Sequence, residues 1–302
     1  MEHGVLIKMT NRKIKNHNHF FVLDEYIEMN VDKIEQIHNN PDELLGLSTG
    51  FSELDRIFLG LEDSNLIVLA SGSQMGKSSL ALRIARNVAI EEHTPVAFFS
   101  LKMTAEQLAM RLLLSEANID LNQLIHTRPS PKEWRKLTDA AARLEGKPFF
   151  IEDKLDFSLK GIHRKANYLK KSLGIGLLII DYIQLLTTTD DCSEERQITR
   201  TAIFFKTLAR ELNIPVIVVS QMSGLIDDLC CDWTSMLKAS TETSALFQHA
   251  DIMAFIHRDN VTNQMTSCYE KEIVKVIVAK NRYGNIGTAC LSFLRQYAKF
   301  EQ

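Results

Sequence analysis

Short apolar runs alternate with amphipathic stretches along most of the chain. Runs at residues 66–70, 95–101, 148–152, 176–181 and 215–220 have the length and branched composition of strands. Helical spacing between them predicts helices at about 78–91, 104–117, 131–145, 158–173 and 194–212. Ser130-Pro131 supports the third, because proline is favoured in a first turn. Leu177-Leu178-Ile179-Ile180 and Val216-Ile217-Val218-Val219 are apolar throughout, as central parallel strands covered on both faces are. This alternation predicts a doubly wound α/β domain, whose ligands bind at the carboxyl ends of the strands. After residue 250 the pattern changes to three strand-like runs at 251–258, 272–279 and 287–294. The turn at 281–287 suits a hairpin, so C-terminal antiparallel strands are expected.

The region before the domain reads differently. Phe21, Leu23, Tyr26, Ile27, Val31, Ile34 and Ile37 recur at near-helical spacing and stop at Asn39-Asn40-Pro41. This helix needs a surface for its apolar stripe, in its own domain or on a neighbouring subunit. Residues 1–20 are rich in Lys, Asn and His without a period, and read as a flexible basic tail. Lys8, Arg12, Lys13 and Lys15 there are candidates for contact with nucleic-acid phosphate.

The sharpest chemical signal follows the first strand. Leu66-Ile67-Val68-Leu69-Ala70 leads into Ser71-Gly72-Ser73-Gln74-Met75-Gly76-Lys77-Ser78-Ser79 and then a helix. Such a loop cradles phosphates with backbone N–H groups at a helix N-terminus. Lys77 can reach the β- and γ-phosphates, and the Ser78 hydroxyl can sit on Mg²⁺. Ser71 stands where the pattern has glycine, and Gly72 is the neighbour able to supply the flexibility. A second strand ends in Asp181, a carboxylate suited to holding Mg²⁺ through water beside that loop. A third ends in Gln221, which reads either as a sensor of the γ-phosphate or as a surface glutamine.

Composition narrows the class less. With 45% apolar and 24% charged residues, the 302-residue chain resembles an ordinary soluble protein with room for a large core. The net charge of −3 gives no global basic field, though local basic strips remain open. Five unpaired-looking cysteines, Cys192, Cys230, Cys231, Cys268 and Cys290, read as reduced thiols of a cytoplasmic protein. No apolar run approaches the ~20 residues of a membrane span, and the polar N-terminus lacks a signal peptide's core.

Several segments together resemble the DnaB-type replicative helicases. Val96–Leu112, with Phe98-Phe99-Ser100-Leu101-Lys102-Met103, is one. Leu178-Ile179-Ile180-Asp181-Tyr182-Ile183-Gln184-Leu185 and residues 208–221 are others. Ala279-Lys280-Asn281-Arg282-Tyr283-Gly284 resembles the family's penultimate strand end, and Gly46–Asp55 its domain opening. The resemblance implies a RecA-like ATPase domain at 46–302 and a linker helix at 21–45 that docks on the adjacent subunit. It implies a homo-oligomer, a hexameric ring that binds ATP and Mg²⁺ between subunits and moves 5′→3′ on single-stranded DNA, with a primase or helicase loader as partner. Lys77, Ser78 and Asp181 would serve phosphate and metal. Gln221 would couple the γ-phosphate to the DNA loops. Lys280 and Arg282 would reach the neighbour's nucleotide.

Four departures qualify what the resemblance implies. The family has a general-base glutamate where this chain has Lys102, and lysine takes a proton from water poorly. The family's Arg-Glu-Ser-Gly DNA loop aligns with Thr241-Glu242-Thr243-Ser244, without its arginine or glycine. The preceding loop carries Asp227, Asp228 and Asp232 against Lys238, which opposes phosphate binding. The family's helical N-terminal domain has no counterpart in these residues. Arg196, Arg200 and Glu242 remain as DNA-contact candidates, the two arginines reading equally as solvated helix surface. The expected function is an ATP-dependent replicative helicase. The alternative is a hydrolysis-deficient, ATP-binding regulatory or assembly protein.

Overall fold

The computed structural model describes residues 23–39, 43–154, 158–186, 194–222, 241–258 and 271–302. The chain divides into two units between Glu43 and Leu44, each taken by itself below. The first contains helix α1, Leu23–Asn39, on which Leu23, Tyr26, Ile27, Val31 and Ile34 are exposed. The tail at 1–20 lies outside the described residues.

The second unit is built on one sheet. Its strands are β1 Leu66–Ser71, β2 Val96–Ser100, β3 Phe149–Glu152, β4 Leu177–Asp181, β5 Val216–Gln221, β6 Ile252–Arg258, β7 Lys271–Asn281, β8 Gly287–Leu294 and β9 Lys299–Glu301. Their spatial order is β3-β2-β4-β5-β1-β6-β7-β8-β9. The first five lie within one residue of their expected ends. The run at 251–258 is β6, which pairs in parallel with β1 and antiparallel with β7. The antiparallel part therefore begins at the pairing of β6 with β7. Six of the seven residues of β6 are buried, and such a run carries no sign of its direction.

Among the described residues, the helices of this unit are α2 Ser52–Phe58, α3 Lys77–Ile90, α4 Ala105–Ala117, α5 Leu121–His126, α6 Pro131–Leu144, α7 Leu159–Leu173, α8 Glu194–Leu212 and α9 Thr241–His249. Capping boxes start α4 (Thr104 with Gln107) and α6 (Ser130 with Glu133), each satisfying orphan N–H groups in both directions. Successive strand residues face opposite sides of the sheet. Ile67 and Leu69 pack with α2, α3 and α4, whereas Leu66, Val68 and Ala70 pack with α7 and α8. The two resulting cores clamp the parallel strands, and only their carboxyl ends open toward a ligand. Asp55 shapes the domain's opening: its buried carboxylate accepts from Ser48 Oγ, Thr49 N and Thr49 Oγ1 at 2.6–2.7 Å.

One ionic cluster joins the α3, α4 and α6 layer. Glu116 accepts from Arg86 at 2.7 and 3.0 Å, from Arg143 at 3.0 Å and from Arg83 at 3.4 Å. Burial pushes its carboxyl up, but hydrogen bonds and charge from Arg86, Arg83 and Arg143 win, and it lies below its ordinary 4.5. A buried cluster that loses one partner leaves charges unpaired, at a cost of about 3–5 kcal/mol. Glu116→Ala is expected to lower unfolding stability by that order in urea titrations at neutral pH. The stabilisation from ionised Glu116 is complete above 4.5 and fades as pH falls through the lowered value. The gap between wild type and variant should therefore narrow in strong acid.

Candidate functional site

The site forms where β1, β4 and β5 end side by side. Ser71 pairs in register with Gln221, and Asp181 with Val219. The loop 72–76 turns the chain from β1 into α3. Gly76 has φ +91° and caps α3, and a Cβ there would lie 3.1 Å from the Phe300 ring. Glycine is required at Gly76 for both reasons. Gln74 also adopts left-handed backbone, with φ +62°. The flexibility expected at Gly72 is thus supplied at Gln74 and Gly76. Ser71 is tolerated because its backbone is not left-handed, and its hydroxyl donates to Gly72 O at 3.0 Å. Ser73 is exposed, Met75 half-buried and Ser79 buried.

Lys77 is buried, and its Nζ donates to Gly72 O at 3.1 Å across the mouth of the loop. Desolvation lowers its pKa, with Asp181 opposing and Lys102 assisting. Ser78 Oγ donates to Asp181 Oδ1 at 3.1 Å. Asp181 is only 2% exposed. Burial pushes its carboxyl up, against the Ser78 hydrogen bond and the charges of Lys77, Arg111 and Lys102. A hydroxyl and a carboxylate are hard oxygen donors, so this pair fits Mg²⁺.

Gln221 is anchored through its backbone. Gln184 Nε2 donates to Gln221 O at 2.8 Å and to Ser220 Oγ at 2.9 Å, and Gln221 N donates to Gln184 Oε1 at 3.1 Å. Met222 N then donates to Ser71 O at 2.9 Å. The end of β5 is thereby tied to both halves of the site, with Gln221 half-buried. Lys102 follows β2, whose Ser100 pairs with Asp181, and its Nζ lies 5.6 Å from the centre of the Tyr182 ring. A cavity of about 780 Å³ opens beside it, lined by Met103, Gln107, Arg111, Leu114 and Tyr297.

Lys280 and Arg282 lie elsewhere. Asn281 between them pairs with Ile252, and Ile252 pairs in the sheet beside Leu66–Ile67 at the start of β1. From Ile67 to Ser71 the strand advances roughly 13 Å, so both cations sit at the end of the strands opposite the phosphate loop. Lys280 Nζ donates to Phe247 O at 2.6 Å and Gln248 O at 3.1 Å. Arg282 lies 3.3 Å from Asp251 Oδ1, and its backbone N donates to Asp251 O at 2.9 Å. Fully buried Asp251 also accepts from Lys206 Nζ at 2.6 Å and from Leu66 N at 2.8 Å.

Arg196 and Arg200 lie exposed on α8. Glu242 belongs to the first turn of α9, with its side chain outside the described residues, as is the acidic loop around Asp227, Asp228, Asp232 and Lys238. Four contributing residues escaped sequence reasoning. Arg111 faces Asp181, Gln184 clamps Gln221, Arg258 Nη1 donates to Gln74 O at 3.3 Å, and Asp251 holds Arg282. Gln184 and Arg111 stood inside the recognised strings, but their partners are far off in sequence.

Residues 46–302 match the family described as DnaB-like helicase C terminal domain. The replicative DNA helicase DnaB of Geobacillus stearothermophilus is 37% identical over 99% of this chain and 67% of its own length. Replicative DNA helicase DnaC of Bacillus subtilis is 36% identical over 95% of this chain and 63% of its own. The chain thus spans about two thirds or less of such relatives. Among solved structures, one ATPase domain superposes with a TM-score of 0.81 at 31% identity, covering 92% of this chain and 98% of that one. A DnaB-like replicative helicase, described with its interactions with primase, gives 0.79 at 31%, covering 90% and 65%. A RecA-like sheet ending in a phosphate loop, matched over its whole length, places this chain in the DnaB-type replicative helicase family.

Proposed function

We propose that this chain is the ATPase motor of a 5′→3′ replicative DNA helicase, hydrolysing ATP between the subunits of a hexameric ring. The observation that carries the ring is the separation of Lys280 and Arg282 from the chain's own phosphate loop. One subunit then supplies Lys77, Ser78 and Asp181, and its neighbour supplies the two cations. A guanidinium from the neighbour stabilises charge on the transferring phosphoryl group, which makes turnover conditional on assembly. Ser78 and Asp181 would hold Mg²⁺, which would supply positive charge against the phosphates. The 780 Å³ cavity beside Lys102 has a volume suited to the nucleoside half.

Lys77 donates to the phosphates in place of Gly72 O. Gln221, held by Gln184, relays the state of the γ-phosphate toward the single-stranded DNA. Exposed α1 docks on the adjacent subunit and covers its apolar stripe. Arg196, Arg200 and the segment around Glu242 face the strand, and a primase or loader docks on the assembled ring in the cytoplasm. Among the described residues, no helix is long and apolar enough to cross a membrane.

Steady-state ATP hydrolysis with and without single-stranded DNA tests the proposal. Turnover by the wild type that DNA stimulates is the expected result. Lys102→Glu should raise kcat by about 10²-fold or more, the usual contribution of a general base. An inert wild type whose turnover Lys102→Glu restores would instead make this a nucleotide-holding assembly protein. Lys77→Ala should abolish nucleotide binding, and unchanged affinity would sink the site assignment. Gln184→Ala removes hydrogen bonds worth about 1 kcal/mol each. It should leave the nucleotide Kd within a few-fold while reducing kcat and its stimulation by DNA.

A further inference from the structure

Lys102 sits in a specific electrostatic setting. It follows the end of β2 at the point where Ser100 pairs with Asp181, and Leu101 N donates to Asp181 O at 2.8 Å. Its Nζ lies over the ring of Tyr182, the residue after Asp181. Lys77 approaches the same carboxylate from the phosphate loop and Arg111 from α4. Three cations therefore converge on one buried carboxylate. A glutamate at Lys102 would give two cations and two carboxylates, a neutral set that needs a divalent ion to hold a polyphosphate. The lysine leaves the set doubly positive. Asp181 accepts from the Ser78 hydroxyl and is the one carboxylate among these three cations.

We infer that Lys102 is a phosphate-binding residue, and that its charge lets this site hold a nucleoside triphosphate without a divalent metal ion. The inference rests on the nucleotide site proposed above and adds a ligand class to it: the metal-free triphosphate. An ammonium on a four-carbon stem is a compact, mobile charge, and the Lys102 Nζ lies 5.6 Å from the centre of the Tyr182 ring. With phosphate present, Nζ leaves the ring for an oxygen on the side opposite Lys77. The bound triphosphate is then clamped between two ammonium groups. Arg111, on the wall of the adjoining cavity, adds positive charge toward Asp181 behind them.

The test is calorimetric titration of the full chain with ATPγS, in excess Mg²⁺ and again in EDTA. Wild type should lose less than about tenfold in affinity on metal removal. Lys102→Ala should bind metal-free nucleotide about 10–100-fold more weakly than wild type, the equivalent of one charge-assisted hydrogen bond. Its Mg²⁺-loaded affinity should change far less. Lys102→Arg should retain metal-free binding, which loss of packing alone would not predict. Lys102 is exposed, so these variants should keep the wild-type melting curve. A Lys102→Ala protein with the wild-type ratio of the two affinities overturns the inference, as does a wild type that binds only with Mg²⁺. Lys77→Ala separates the two levels. If it loses binding in both conditions while Lys102→Ala behaves as wild type, the nucleotide site stands and the role of Lys102 falls. If Lys77→Ala binds as wild type does, the site itself falls.

Discussion

Everything in the site is arranged around a carboxylate placed where water hardly reaches. Asp181 ends a strand whose residues are all buried, and burial alone favours its neutral form. A neutral Asp181 could neither receive the Ser78 hydroxyl as an anion nor hold a cation. Burial prevails and the carboxyl stays raised, opposed by the Ser78 hydrogen bond and by cations from three elements: Lys77 from the phosphate loop, Arg111 from α4 and Lys102 from the end of β2. The parallel register of β2, β4, β5 and β1 places those elements around one carbonyl-lined corner. Sheet topology is thus the cause of the electrostatics.

The same corner explains why one substitution matters more than others in this chain. Ser71 replaces a glycine at no structural cost, because the left-handed turn falls at Gln74 and Gly76. Lys102 changes the sign of a charge within the field that both Lys77 and Asp181 feel. In the proposed site, a change of sign there would favour a polyphosphate and disfavour a second cation. Exposure lets Lys102 respond to the ligand, whereas Lys77 is already fixed on Gly72 O.

The parallel core and the phosphate loop were legible because their signals are local. An all-apolar run, then small residues, then Gly-Lys-Ser before a helix, specifies geometry within one short stretch of chain. The direction of β6 was not legible, since its partner β1 lies about 185 positions away and a doubly buried strand looks alike either way. The contributions of Gln184, Arg111 and Arg258 were hidden for the same reason. Gln184 touches Gln221 across 37 positions, and Arg258 touches Gln74 across 184. Lys280 and Arg282 were found by resemblance alone, because strand-end cations have no pattern of their own.

Those two cations show what β1 accomplishes mechanically. Its carboxyl end carries the phosphate loop, and its amino end is bonded through Leu66 N to Asp251, which holds Arg282. Lys206 donates to the other carboxylate oxygen, so fully buried Asp251 faces two cations. The two ends of β1 are thus linked to the phosphate loop on one side and to Arg282 on the other. In the proposed ring, Arg282 belongs to the next nucleotide, so each site would sense its neighbour through a single rigid strand. Coupling of that kind needs no moving linker within the subunit. It needs only that both ends of one strand bind charged groups whose positions depend on what is bound.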